Sequence, residues 1–116
     1  MLKSKVGYSV NQDSFMSGLE SAKESTKDFN NVKLNLLYTS VNNDVKKVVK
    51  GVLSASDAPV IGCTSSGGII VPDGYITSEN GFSGIMSFND ANMTVGVACH
   101  EAGKDARAIG RKVAIE

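Results

Sequence analysis

Residues 59–68 read PVIGCTSSGG: a short apolar run ending in glycine, then a thiol, three hydroxyls and two more glycines. Three chemistries use such a loop. As a phosphate cradle, Gly62 and Gly67 fit the required glycine frame. The next residues should then be Lys and Ser or Thr, to reach the phosphates and the magnesium. Here they are Gly68 and Ile69, and a β-like IIVP follows where a helix N-terminus should meet the anion. As a nucleophile's perch, the loop offers Cys63 at a strand end. A cysteine nucleophile needs a base or a cation beside it. His100 is the one histidine, and Glu101 or Asp105 could orient it. The competing reading is an inert cysteine and a surface histidine.

As a recognition floor, Thr64, Ser65 and Ser66 both donate and accept, and Gly67 and Gly68 let a ligand approach backbone N–H groups. A loop at the carboxyl end of a strand is where open α/β sheets take their ligands. A small zwitterion would put its carboxylate on those N–H groups and its ammonium on Asp73, Glu79 or Glu101. The alternative is a self-bonded turn, because Ser and Gly are ordinary turn residues. The candidate ligand-binding residues are therefore Cys63, Thr64, Ser65, Ser66, Gly67 and Gly68, with no catalytic residue, metal site or cofactor expected.

The elements that must position this loop follow from hydrophobic periodicity. Lys3–Val10 reads as a strand. Phe15, Leu19, Ala22 and Phe29 then recur at helical spacing, to a stop near Asp28. Lys33–Thr39 is a second strand. Val45, Val48, Val49, Val52 and Leu53 mark a one-faced helix capped by Asn42 or Asn43. Pro59–Gly62 is too apolar for a wet face and reads as a central strand. Ile69–Val71 is a short strand, and 73–81 a turn-rich connection. Phe82–Phe88 and Met93–Cys99 flank NDAN as a hairpin, and Ala106, Ile109, Gly110 and Val113 give a last helix. The order β-α-β-α-β-(β)-β-β-α predicts an α/β single domain over residues 1–116, a mixed β-sheet with helices packed on it.

Composition narrows the function classes. The net charge is zero, and no Lys or Arg occurs between Gly51 and Gly103, where Asp57, Asp73, Glu79, Asp90 and Glu101 lie. Neither nucleic acid nor an anionic membrane has a cationic surface to meet there. Cys63 and Cys99 lie too far apart for a metal-ligand motif, free thiols suit a cytoplasmic location, and no apolar run is long enough to span a bilayer.

Three stretches in order, VGYSVNQDSFMSGLESA (6–22), APVIGCTSSGGI (58–69) and MTVGVACHEAGKDARAIGRKVA (93–114), resemble the FIST N domain. The family's loop pattern falls on Gly62, Cys63, Thr64, Ser65 and Gly67, and its Gly-Tyr-Ser element on Gly7, Tyr8 and Ser9. The resemblance implies an intracellular sensory module of signal transduction that binds a small ligand such as an amino acid. It also implies a chain incomplete relative to the family, working as a homo-oligomer or beside a C-terminal FIST domain. Gly68 stands where the family commonly has an acidic residue.

Overall fold

The computed structural model describes residues 1–116. Its elements are β1 (Lys3–Ser9), α1 (Ser14–Thr26), β2 (Val32–Ser40), α2 (Val45–Ala55), β3 (Val60–Ser65), β4 (Ile69–Val71), β5 (Gly74–Ile76), β6 (Ser83–Asn89) and α3 (Ala106–Ile115). β1, β6, β2 and β3 form one sheet in that spatial order. β6 is antiparallel to both its neighbours, and β2 and β3 are parallel, joined by the α2 crossover. The mixed α/β sheet predicted from the sequence is the one found.

Alternation along the strands sorts the side chains into two faces. Leu37 of β2 and Ile85 of β6 meet Ala22 of α1 and Val48 and Val52 of α2, which is the buried apolar cluster. Leu36, Tyr38, Met86 and Val6 point to the opposite face, and the β4–β5 hairpin lies over part of it.

The helices start where side chains can cap them. Asp13 accepts from the Met16 amide and Asp44 from the Lys47 amide. The cap of α2 is therefore Asp44, not Asn42 or Asn43. Asn43 turns inward instead, donating to Thr39 Oγ1 at 2.8 Å and to the Phe82 carbonyl at 2.9 Å. Its side-chain carbonyl lies against Gly81, whose φ of +104° only glycine adopts freely.

The buried stripe of α1 is not the large apolar set. Ser17, Gly18, Ser21, Ala22 and Ser25 face inward, while Phe15, Leu19 and Phe29 flank the contact half-buried. The reason is close approach. Gly18 packs against the backbone of Val48, and Gly51 of α2 packs against the Phe15 carbonyl, so the two helix backbones touch. Small residues bring hydroxyls inside, and β6 answers them. Ser83 Oγ lies 2.7 Å from Ser17 Oγ and 2.8 Å from Ser21 Oγ, and donates to the Ser17 carbonyl at 3.0 Å. Ser87 Oγ donates to Asn35 Oδ1 at 2.6 Å, and Asn35 donates to Ser56 Oγ at 3.0 Å. No buried side-chain polar atom lacks a partner, as burial without large cost requires.

Four further expectations are corrected. β3 is an edge strand, not a central one, and Ile61 is 40% exposed. Phe82–Phe88 does not form a hairpin with Met93–Cys99, because β6 is already bonded on both sides, by β1 and β2. Met93–Cys99 joins no ladder, and the connection read at 73–81 contains a strand, β5. Finally, α3 is amphipathic as predicted but has no buried residue, so only α1 and α2 pack on the sheet.

Candidate ligand-binding site

β3 carries the PVIGCTSSGG run to the end of the sheet and delivers its polar residues there. Register places Cys63 beside Tyr38, Thr64 beside Thr39 and Ser65 beside Ser40. The Val41 amide donates to the Ser65 carbonyl at 3.1 Å, which extends the parallel pairing by one bond. The chain then turns into β4, so no helix begins at the loop and an anion gains no helix dipole there.

Within the loop, Ser65 Oγ donates to the Gly68 carbonyl at 2.8 Å, and Thr77 Oγ1 of the returning chain donates to the Gly67 carbonyl at 2.7 Å. Ser65 is thus partly occupied in holding the turn. The hydroxyls of Thr64 and Ser66 bond to no protein group, and Cys63 is a free, exposed thiol. Cys63, Thr64, Ser65 and Gly68 line an open hollow of about 440 Å³, completed by Tyr38, Ile69 and Ile70. Ser66 and Gly67 stand at the turn, outside that lining.

Neither loop glycine has a positive φ. Their roles divide by space. A side chain at Gly67 would meet only the Tyr75 hydroxyl at 3.6 Å, whereas one at Gly68 would stand 2.6 Å from the Ile76 carbonyl and 2.7 Å from the Tyr75 ring. Gly67→Ala should therefore change stability by less than about 0.5 kcal/mol. Gly68→Ala should cost on the order of 1–3 kcal/mol, since the backbone it meets cannot step aside. Urea unfolding midpoints of the two variants check the contrast.

The residues proposed from sequence to meet a ligand's ammonium are not brought to this hollow. Asp73, Glu79 and Glu101 are all exposed, and none lines it. Asp73 is engaged elsewhere. Tyr8 donates to its Oδ2 at 3.1 Å, tying the β4–β5 turn to β1. That hydrogen bond, and then the same carboxylate's charge, hold the Tyr8 phenol above its ordinary value of 10.0. The folded state thus keeps a proton that the unfolded chain releases. The contribution is present below the ordinary phenol value and is lost as pH rises through the folded one. Alkaline titration followed by phenolate absorbance should show Tyr8 ionising late, and Asp73→Asn should bring it back toward 10.0.

His100 hydrogen-bonds through Nδ1 to the neighbouring Glu101 carbonyl at 2.9 Å, and no hydrogen bond joins it to Cys63. Asp105 caps α3, accepting from the Ala108 amide at 3.1 Å. No group of three or more His, Cys, Asp or Glu is placed to hold a metal ion.

The sequence reading missed Tyr38, Ile69 and Ile70 as walls of the hollow. The signal lay in KLNLLYT, where Leu34, Leu36 and Tyr38 make one alternating set wholly apolar while the core residue Leu37 belongs to the other, so both sheet faces carry apolar residues that require cover.

The Gly-Tyr-Ser element has a structural account in full. Gly7 sits against the Ser21 carbonyl of α1, Tyr8 ties down the hairpin, and Ser9 donates to Glu20 Oε2 at 2.6 Å.

These features define a mixed-sheet α/β domain with a hydroxyl-bearing loop opening onto a hollow at one edge. Residues 33–116 match the family model for the FIST N domain. The match covers most of the chain, which belongs to that family of signal-transduction sensory domains. It includes the second and third resembling stretches; the first, 6–22, precedes it. No curated protein matches the chain. No helix is long and apolar enough to cross a membrane.

Proposed function

We propose that the chain is the sensory domain of an intracellular, cytoplasmic signalling protein and binds a small polar ligand, of the amino-acid kind, at the end of β3. The observation that carries this reading is an open hollow of about 440 Å³ at the end of β3, with Thr64, whose hydroxyl has no protein partner, and the free Cys63 thiol among its lining residues. A hydroxyl with no protein partner both donates and accepts, so it serves either end of a zwitterion. The bare outer edge of β3 supports the second half of the reading, in which occupancy is passed to a second copy or to a C-terminal FIST domain paired along that edge.

Thermal-shift measurements with the common amino acids test it. A ligand that binds only the folded chain raises Tm with concentration, and Thr64→Val should remove that rise while leaving the unliganded Tm nearly unchanged. No shift with any small polar compound up to millimolar concentration sinks the reading.

A further inference from the structure

The hydroxyl-lined hollow does not end at Tyr38. Tyr38, Ile69 and Ile70 also form one wall of a second cavity of about 250 Å³ beneath the β4–β5 hairpin. Its floor is the sheet face turned away from the helices, and Val6, Leu36 and Met86 line it. One hollow carries hydroxyls and the other is almost wholly apolar, and they share a wall.

The hairpin is fixed as a roof. The Ile69 side chain rests on Gly84, where any side chain would collide with it. Tyr8 holds the β4–β5 turn through Asp73, and Thr77 holds the other end through the Gly67 carbonyl. The cavity is thus built by residues whose positions are already specified, as small-molecule sites generally are. Ile69 and Val71 alternate toward the sheet and line the cavity, whereas Ile70, 87% exposed, stands on the outer face of the hairpin.

We infer that the ligand is an amino acid with a branched aliphatic or single-ring aromatic side chain. Its polar head lies among Cys63, Ser65 and the loop backbone, and its side chain lies under the hairpin against Leu36, Met86 and Val71. This rests on the proposed function above and adds the specificity. The combination follows from chemistry. A purely polar ligand would leave the apolar cavity unfilled, and burying an isobutyl or benzyl group there adds a hydrophobic term that serine or glutamine cannot supply. No cation lines either hollow, and none of the flanking carboxylates does, so discrimination falls to the side chain rather than to the charges.

Calorimetric titration of the chain with leucine, phenylalanine, serine and glutamine tests the inference. Leucine and phenylalanine should bind about tenfold or more tightly than serine or glutamine, in keeping with side-chain discrimination by apolar pockets. Val71→Ser and Met86→Ser, which touch the apolar cavity and not the polar hollow, should each weaken leucine binding several-fold and leave any serine binding unchanged. Equal or tighter binding of serine and glutamine would overturn the inference while leaving the proposed function standing. Leucine binding indifferent to both substitutions would overturn the placement of its side chain. Absence of binding by all four, with none by any other amino acid, would overturn the proposed function as well.

Discussion

Gly51→Ala should lower the stability of the chain by about 3 kcal/mol, although alanine is the better helix former. In an exposed helix the substitution would gain up to about 1 kcal/mol. Here the added methyl meets the Phe15 carbonyl at less than contact distance and stands 2.8 Å from the Leu19 amide nitrogen. Both are backbone atoms of α1, held by helical hydrogen bonds, and cannot rotate out of the way. The helices must separate, and the Gly18 contact with Val48 on the same seam opens with them. The cost is the lost packing along that seam, which exceeds the propensity gain. A urea unfolding midpoint well below that of the wild type is the expected reading. Gly110→Ala in α3, where a side chain meets nothing within 4 Å, should be neutral or stabilising. A Gly51→Ala chain as stable as the wild type would mean that the two helices do not touch at their backbones.

Ser83→Val is expected to cost about 3 kcal/mol, and Ser83→Ala about 1 kcal/mol. The serine is fully buried between β6 and α1, with the Ser17 and Ser21 hydroxyls 2.7 and 2.8 Å from its own. Valine leaves the Ser17 hydroxyl without its partner, puts one methyl in the place of the oxygen and adds a second where there is no room, so the desolvation and overpacking costs add. Alanine removes the hydroxyl but keeps the space, and Ser21 still donates to the Ser17 carbonyl at 2.8 Å. The two midpoints should therefore fall in the order wild type, alanine, valine. Valine at parity with serine would rule out the polar contact between α1 and β6. Because β6 is the strand that separates β1 from β2, loosening it should also release the sheet face beneath the hairpin.

Both substitutions act on a part of the fold that hydrophobic periodicity conceals. Periodicity placed α1 and α2 correctly, because a helix reveals its apolar stripe at a fixed spacing. Of the set it named for α1, Ala22 lies in the core, but glycine and serine, not phenylalanine and leucine, make the closest contact. Small residues carry no hydrophobic signal. Their burial becomes visible only when a second helix and a strand supply the atoms that leave no space for more.

The same distinction runs through the candidate site. PVIGCTSSGG is legible as a strand delivering hydroxyls to a loop, because a short apolar run followed by Ser and Gly can do little else. The role of each loop residue is not legible. Ser65 closes the turn and Thr64 is left free, while Gly68 admits Tyr75 and Ile76, a contact that exists only because β5 returns beside the loop.

The sequence by itself determined the class of the chain: alternating strand and helix periods, the lack of cationic side chains through the middle, and the hydroxyl-rich loop at a strand end. All of these are set by residues close together along the chain. Only the tertiary structure decided that β6 enters between β1 and β2, that β3 is left at the edge, and that a hairpin roofs the apolar face beside the loop. A strand's own residues state how its side chains alternate, but not which other strand fills its hydrogen-bonding edges. That choice rests on contacts between residues distant in sequence, and it is what joins the polar and apolar hollows.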